Sequence, residues 1–500
     1  MESFLERERR RCGLLLPIFS LPGPHGTGEL GPAALHWLDF LAEGGQGLWQ
    51  VLPLNPTGHG NSPYQSPSAL ASDPFLIGLE SLKEDGLLEK KDFIGLPGLP
   101  GSRIDHSAIR PLRTALLRKA VSRFLAYGIG PDYENFCVKE RDWLEDYALF
   151  SVLGDRFATA DWTRWPTSYR DRKRSALERA QEEWAAELST YRVEQYLFQR
   201  QWDQIRRRAA RLDISLVGDM PIFVSHDSVD VWSRRKLFDL DEAGLPRTVA
   251  GVPPDYFSAT GQRWGNPLYR WEQHREEGYG WWASRFRRAL SLFDAVRVDH
   301  FRAFADYWEI PAMEPTAVRG RWVEGPGEEF FRTMEHALGP LPIIAEDLGI
   351  LSERAVALRD RLDLPGLRIL LFALDDYHEN SPFLPENFVE NCIAYTGTHD
   401  NDTAAGALLG TEEGATRRRN LLLKILPQRY GHLHLIDGAM AWLAESRARW
   451  LILPIQDILH LGSYARMNIP GTTEGNWTWR LMEKDLELVD RDLLRRLGAR

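Results

Sequence analysis

The chain is poor in cysteine. Its 500 residues include only Cys12, Cys137 and Cys392, widely separated and without a CxxC spacing. That excludes a disulfide framework and a cysteine-based zinc site, and it suits a reducing cytosol. Long apolar runs are missing as well. The N-terminal MESFLERERRRCGLLLPIF has a short apolar block broken by Pro17, so neither a signal peptide nor a membrane span is expected. Sustained positive charge is the third absence. The net charge is −10, and ERERRR near the N-terminus and RRRAARL at 206–212 read as short solvated helix faces. A nucleic-acid or phosphate-rich partner is thereby disfavoured. The expectation is a cytoplasmic protein with no membrane, nucleic-acid or obligate protein partner.

Aromatic residues, in contrast, are abundant, with 18 Trp, 15 Tyr and 22 Phe. Most of these will pack a core, but some could line a groove for a ligand with flat apolar faces, as sugar rings have. Composition does not choose between the two readings.

Eight short apolar runs are bounded by turn residues. They are GLLLPIF (13–19), GLWQVLPL (47–54), ISLVGDM (214–220), FDAVRVD (293–299), PIIAED (342–347), LRILLFAL (367–374), CIAYTGT (392–398) and WLILPI (450–455). Near-continuous apolar runs are typical of parallel strands covered on both faces. Helical patterns lie between them, so the fold class is α/β and the expected architecture a (β/α)8 TIM barrel with insertions on its C-terminal face. The expected organisation places barrel strands 1 and 2 in 1–55 and an inserted, mostly helical subdomain in 56–212. Strand 3 falls in 213–225, a second insertion with a substrate-rim loop in 226–290, and strands 4 to 8 in 291–500. The helical spacing of Leu177, Ala180, Trp184, Leu188 and Tyr191 supports the first insertion. IGLPGLPGS (94–102) mimics collagen but is too short for a triple helix and reads as a loop.

Two tempting motifs carry little. GTGELG (26–31) fits GxGxxG between a strand and a helix, but the following strand ends in Pro53, Leu54 and Asn55 without the acid a dinucleotide ribose needs. His432 and His434 in GHLHLI read as surface or capping residues rather than metal ligands.

The strand DAVRVDHFR (294–302) raises a sharper question. Side chains alternate along a strand, so Val296 and Val298 share one face while Arg297 and Asp299 share the other. At the C-terminal end of a barrel strand that second face is the mouth. A structural ion pair is one explanation. Yet other strand ends are acidic too: Asp219 in VGDMP, Glu346 and Asp347 in IIAEDLG, and His399, Asp400 and Asp402 in TGTHDND. Several carboxylates with no basic phosphate cradle suit either an oxygen-ligated metal or glycoside chemistry. In the second case Arg297 would hold Asp299 ionised, while burial among acids would raise Glu346 into a proton donor.

These motifs, with NSPYQSPSALA (61–71), GDMPIFV (218–224), GVPPDYFSATGQRWGNPLYRW (251–271) and ARMNIPGTTEGNW (465–477), resemble the amylomaltase-type 4-α-glucanotransferases of the α-amylase clan. The resemblance runs from Gly13 to Trp479. It implies a (β/α)8 barrel without a separate C-terminal β-domain, and retaining transfer of α-1,4-glucan segments that needs neither cofactor nor metal. It also implies Asp299 as nucleophile, Glu346 as general acid and base, and Asp400 as a third carboxylate gripping the sugar. Arg297, His399, Tyr64, Asp219 and Ser62 fall to substrate binding. Gln262 and Trp264 on one loop, and Asn468 on another, would rim the acceptor groove. The chain departs from the family pattern at Arg263, Ala303 and Tyr464, and the first and last are rim positions that bear on chain-length preference. An α-glucan hydrolase with the same carboxylates is the alternative enzyme. A silent glucan-binding protein or a metal-dependent barrel enzyme are the more distant ones.

Overall fold

The computed structural model describes residues 9–94, 101–254, 258–349 and 351–499. The start of the ERERRR run, most of IGLPGLPGS and residues 255–257 of the long rim motif lie outside the described residues. In chain order the strands are β1 (Arg11–Leu15), β2 (Leu48–Gln50), β3 (Ser215–Met220), β4 (Thr248–Val252), β5 (Gln262–Pro267) and β6 (Ala295–Val298). They continue with β7 (Asp306–Pro311), β8 (Arg321–Glu324), β9 (Ile343–Ala345), β10 (Gly366–Ile369), β11 (Cys392–Tyr395) and β12 (Trp450–Pro454).

Eight of them form one parallel sheet in the order β10-β11-β12-β1-β2-β3-β6-β9, each run of the sequence reading supplying one strand. Its two ends meet where the Ala345 N–H donates to the Pro365 carbonyl at 2.9 Å, so the sheet is nearly closed into a barrel. The strands are shorter than the apolar runs. In LRILLFAL the strand stops at Ile369, and Leu370–Asp375 turns into a helix. In GLLLPIF a 3-10 turn takes over at Ile18.

Helices cover the barrel as the patterning requires. Pro32–Glu43 starts with proline at a position where no N–H is needed, and buries Trp37, Leu38, Phe40 and Leu41. The turn before it uses its glycines for close approach, since a Cβ on Gly28 would lie 2.0 Å from the Ile18 carbonyl oxygen. Between β2 and β3 the long helices are His106–Tyr127, Arg141–Phe157 and Ala185–Arg211. The helical spacing across Trp184 is interrupted: Arg174–Glu183 ends there, and Ala185–Arg211 begins anew. That last helix leads into β3, and its Trp202 donates to the Leu292 carbonyl at 3.0 Å, locking it to the barrel wall.

The sequence reading has no counterpart for a second sheet. β5, β4, β7 and β8 pair in that order, all antiparallel. Two of these strands come from 226–290 and two from the connection between β6 and β9, so the sheet stands over the mouth of the barrel's middle strands. It also corrects one expectation. Gln262 and Trp264 lie on strand β5, not on a loop.

Much of the tryptophan is core: Trp37, Trp49, Trp162, Trp202, Trp232, Trp282 and Trp450 are fully buried. No helix among the described residues is long and apolar enough to cross a membrane.

Candidate active site

The register of β3 and β6 sets Asp219 opposite Arg297, which puts their side chains on one face. Arg297 Nη1 donates to both Asp219 oxygens at 2.8 Å, and Nη2 lies 2.9 Å from Asp299 Oδ1. The shared face read from alternation is therefore real, and Arg297 is an anchor between two carboxylates. Burial would draw its guanidinium down, but Asp219 and Asp299 hold it well above its ordinary value, so it stays cationic. Asp219 is closed off behind the wall, with 0% of its side chain exposed, whereas Asp299 opens into the cleft with 30%.

Glu346 follows β9 and faces the same space. Its Oε2 accepts the main-chain N–H of His300 at 2.7 Å, and its Oε1 that of Leu348 at 2.9 Å. Burial raises its carboxyl to about 7; Asp299 adds to the rise, while Arg297 and the two N–H groups restrain it. Its neighbour Asp347 points the other way, as alternation requires, and is tied to Arg359 and the Leu367 N–H.

A second chain of contacts leads from Asp219 to the strand end after β11. The Tyr64 hydroxyl donates to Asp219 Oδ2 at 2.9 Å and stands 3.0 Å from His399 Nε2. Burial first, then Asp219, push the phenol well above its ordinary value, so it remains a donor. The phenol oxygen is then the acceptor toward His399, which puts a proton on Nε2. The two rings stack with centroids 5.3 Å apart. His399 Nε2 also lies 3.4 Å from Asp400 Oδ2, and Asn468 Nδ2 donates to Asp400 Oδ1 at 2.6 Å. The loop that carries Asn468 is cross-braced, since Arg466 donates to the carbonyls of Asn468 and Asp400 at 2.8 and 2.7 Å.

Arg297, Asp299, Glu346, Tyr64, His399, Asp400 and Asn468, with Ser62, Gln262 and Trp264, line one cleft of about 910 Å³, whereas Asp219 does not. Gln262 Oε1 accepts the Trp264 indole N–H at 3.2 Å, and Ser62 Oγ accepts the Tyr64 main-chain N–H at 3.2 Å. Long, half apolar and rimmed by indole faces, such a cleft suits a chain of sugar rings. One carboxylate beside a buried arginine and a second carboxyl raised to about 7 share this cleft.

A family model described as 4-alpha-glucanotransferase matches residues 16–485. The chain belongs to the 4-alpha-glucanotransferase family. It is 46% identical to the 4-alpha-glucanotransferase of Thermus thermophilus over 487 residues, covering 95% of this chain and 96% of the relative. The chloroplastic/amyloplastic 4-alpha-glucanotransferase of Solanum tuberosum is 43% identical, over 95% of this chain and 82% of the relative. Among solved structures, the amylomaltase from Streptococcus agalactiae in complex with acarbose superposes with a TM-score of 0.91. That match has 36% identity and covers 98% of each chain.

Two cleft residues of this transferase escaped the reading of single residues. Trp477 stands beside Tyr64 and His399, with centroids 5.8 and 6.0 Å away. It ends the quoted ARMNIPGTTEGNW motif, which was its available signal. His300 acts through its main-chain N–H, a role no side-chain pattern reveals. Its ring meets Trp264 edge-on at 4.9 Å, and burial lowers the imidazole to about 4, so the ring is neutral at pH 7.

Proposed function

We propose that this 4-α-glucanotransferase works by retaining double displacement. An α-1,4-glucan spans the cleft. Asp299 attacks the anomeric carbon while Glu346 protonates the departing oxygen. The reducing-end fragment leaves, and the rest remains as a glycosyl ester on Asp299. Glu346, now ionised, takes the proton of an acceptor 4-hydroxyl, which displaces Asp299. Two inversions give net retention.

One observation carries this reading: the two carboxyl groups share a cleft but not an environment. Asp299 is ion-paired to a buried arginine, as a nucleophile requires. Glu346 is lifted to about 7, as a group that must both give and take a proton requires. Asp400, positioned by Asn468 and His399, is assigned to the hydroxyls of the sugar under attack. Asp219 and Arg297 orient the nucleophile from behind, and Tyr64 offers its ring to the sugar.

Transfer must outrun hydrolysis. Holding an acceptor in place can be worth roughly 7–11 kcal/mol of barrier, and covering the cleft removes water as competitor. Trp264 on β5 and the Asn468 loop both line the cleft and are assigned this task. Incubation with maltotriose tests the reading. It calls for a ladder of longer maltooligosaccharides together with glucose, whereas shrinking chains with rising reducing ends would identify a hydrolase. A chain with only three cysteines and no CxxC spacing supports a reducing compartment such as the cytoplasm.

A further inference from the structure

Outside the cleft, the described residues bring one mixed nitrogen and oxygen cluster together. His434 stands at the start of the helix Leu435–Glu445, and Asp437 lies one turn on, on the same face. His460 arrives from the connection after β12, with its backbone in the left-handed region at φ 52. His460 Nε2 is 2.7 Å from Asp437 Oδ1, and the two imidazoles stack with centroids 4.3 Å apart and planes 19° from parallel. One ligand atom from each of the three residues lies within 4.8 Å of the others. His434 is exposed, as the reading of it as a surface or capping residue has it, and it occupies the N-cap position although its side chain makes no cap hydrogen bond. None of the three lines the catalytic cleft.

We propose that His434, Asp437 and His460 form a three-ligand site for a zinc ion on the rim of the barrel. Two imidazoles and one carboxylate are a donor set for zinc, with a water completing the tetrahedron, and they are too nitrogen-rich for magnesium or calcium. Ligands about 2.0 Å from a tetrahedral ion stand about 3.3 Å apart, so small side-chain rotations close the present cluster onto the metal. In the metal-free form a hydrogen bond between His460 and Asp437 holds them together, and zinc takes its place with both residues as ligands.

The site has a structural consequence for the groove. The segment that begins at His460 runs directly to Asn468. On the way Ser463 Oγ donates to Asp402 Oδ2 at 2.7 Å and Arg466 donates to the Asp400 carbonyl at 2.7 Å. A metal clamp on His460 fastens the root of the loop that reaches Asp400. The inference does not depend on the catalytic roles assigned above, because its readouts are metal binding and loop protection.

The test uses the full chain stripped of metal by chelation. Zinc chloride is titrated calorimetrically near neutral pH, and cobalt(II) serves as a spectroscopic stand-in. The expected result is one equivalent bound, a tetrahedral cobalt spectrum, and slower hydrogen exchange in 461–468 when zinc is present. His434→Ala, at an exposed position, and His460→Asn, which tolerates the backbone angle, are each expected to weaken binding by about tenfold or more. Absence of saturable binding overturns the proposal, and so does undiminished binding in both variants.

Discussion

The main-chain N–H of His300, the residue after Asp299, donates to Oε2 of Glu346 at 2.7 Å. The end of β6 thus fixes the proposed acid and base at the same point where it presents the proposed nucleophile. It also tempers Glu346. Burial lifts the carboxyl, the His300 and Leu348 N–H groups favour its charged form, and the balance falls at about 7. A group so poised can act first as acid and then as base without a large penalty in either step.

The first prediction concerns pH. In the proposed mechanism Glu346 must be protonated to start the cycle, so kcat/KM for maltotriose is expected to fall as pH rises through about 7, the value to which its carboxyl is lifted. Glu346→Gln removes this limb and slows transfer from natural glucans by about 10²–10⁴-fold. An α-maltosyl fluoride donor, whose leaving group needs no proton, keeps its first step in the same variant. Steady-state rates and fluoride release measure the two effects.

Tyr64→Phe keeps the ring stacked on His399 but removes the hydroxyl that donates to Asp219. A hydrogen bond to a charged group contributes about 1.5–3 kcal/mol, which corresponds to a drop in kcat/KM of roughly 10–100-fold. Tyr64→Ala, which also loses the ring, falls further. Equal activity of Tyr64→Phe and the parent would remove Asp219 and Tyr64 from the positioning of Asp299.

The barrel and its acidic strand ends were legible in the sequence because both follow from short-range rules. Apolar runs make buried parallel strands, and alternation alone puts Arg297 with Asp299. The antiparallel sheet was not legible. β4 is a short TVAGV, β5 is a half-polar QRWGNP, and β7, the other partner of β4, comes from a distant connection together with its own partner β8, so no local period marks the sheet. Trp184 fits the helical spacing by side chain yet breaks the helix by backbone, at φ −115 and ψ 28. His300 shows the same limit at the site, since a main-chain donor leaves no trace in residue type.

The balance between transfer and hydrolysis is set at the rim. Trp264→Ala opens the wall over His300, and Asn468→Ala frees both Asp400 and the loop that Arg466 braces. Each variant is expected to raise the ratio of hydrolysis to transfer by about tenfold, equivalent to about 1.4 kcal/mol of lost discrimination. Product ladders scored against newly formed reducing ends give that ratio directly.

Stability carries its own pH signature. Glu194 is buried on the helix Ala185–Arg211, and burial raises its carboxyl from 4.5 to about 8. Between these values the unfolded chain has released the proton and the folded chain still holds it. The Glu194 contribution to stability therefore falls as pH rises from about 4.5 to about 8 and levels off beyond. Glu194→Gln is expected to flatten this part of the profile and to be more stable than the parent at alkaline pH, as read by denaturant midpoints across the range.

The identity of the nucleophile is tested most directly by trapping the ester. Glu346→Gln is mixed with an α-maltosyl fluoride whose terminal 4-hydroxyl is blocked, so that the first step proceeds and the second is starved of both base and acceptor. Digestion and mass spectrometry should then find the maltosyl group on the peptide carrying Asp299, at its side-chain oxygen. A label on Asp400, or turnover with no covalent adduct at any acidic residue, would contradict the account.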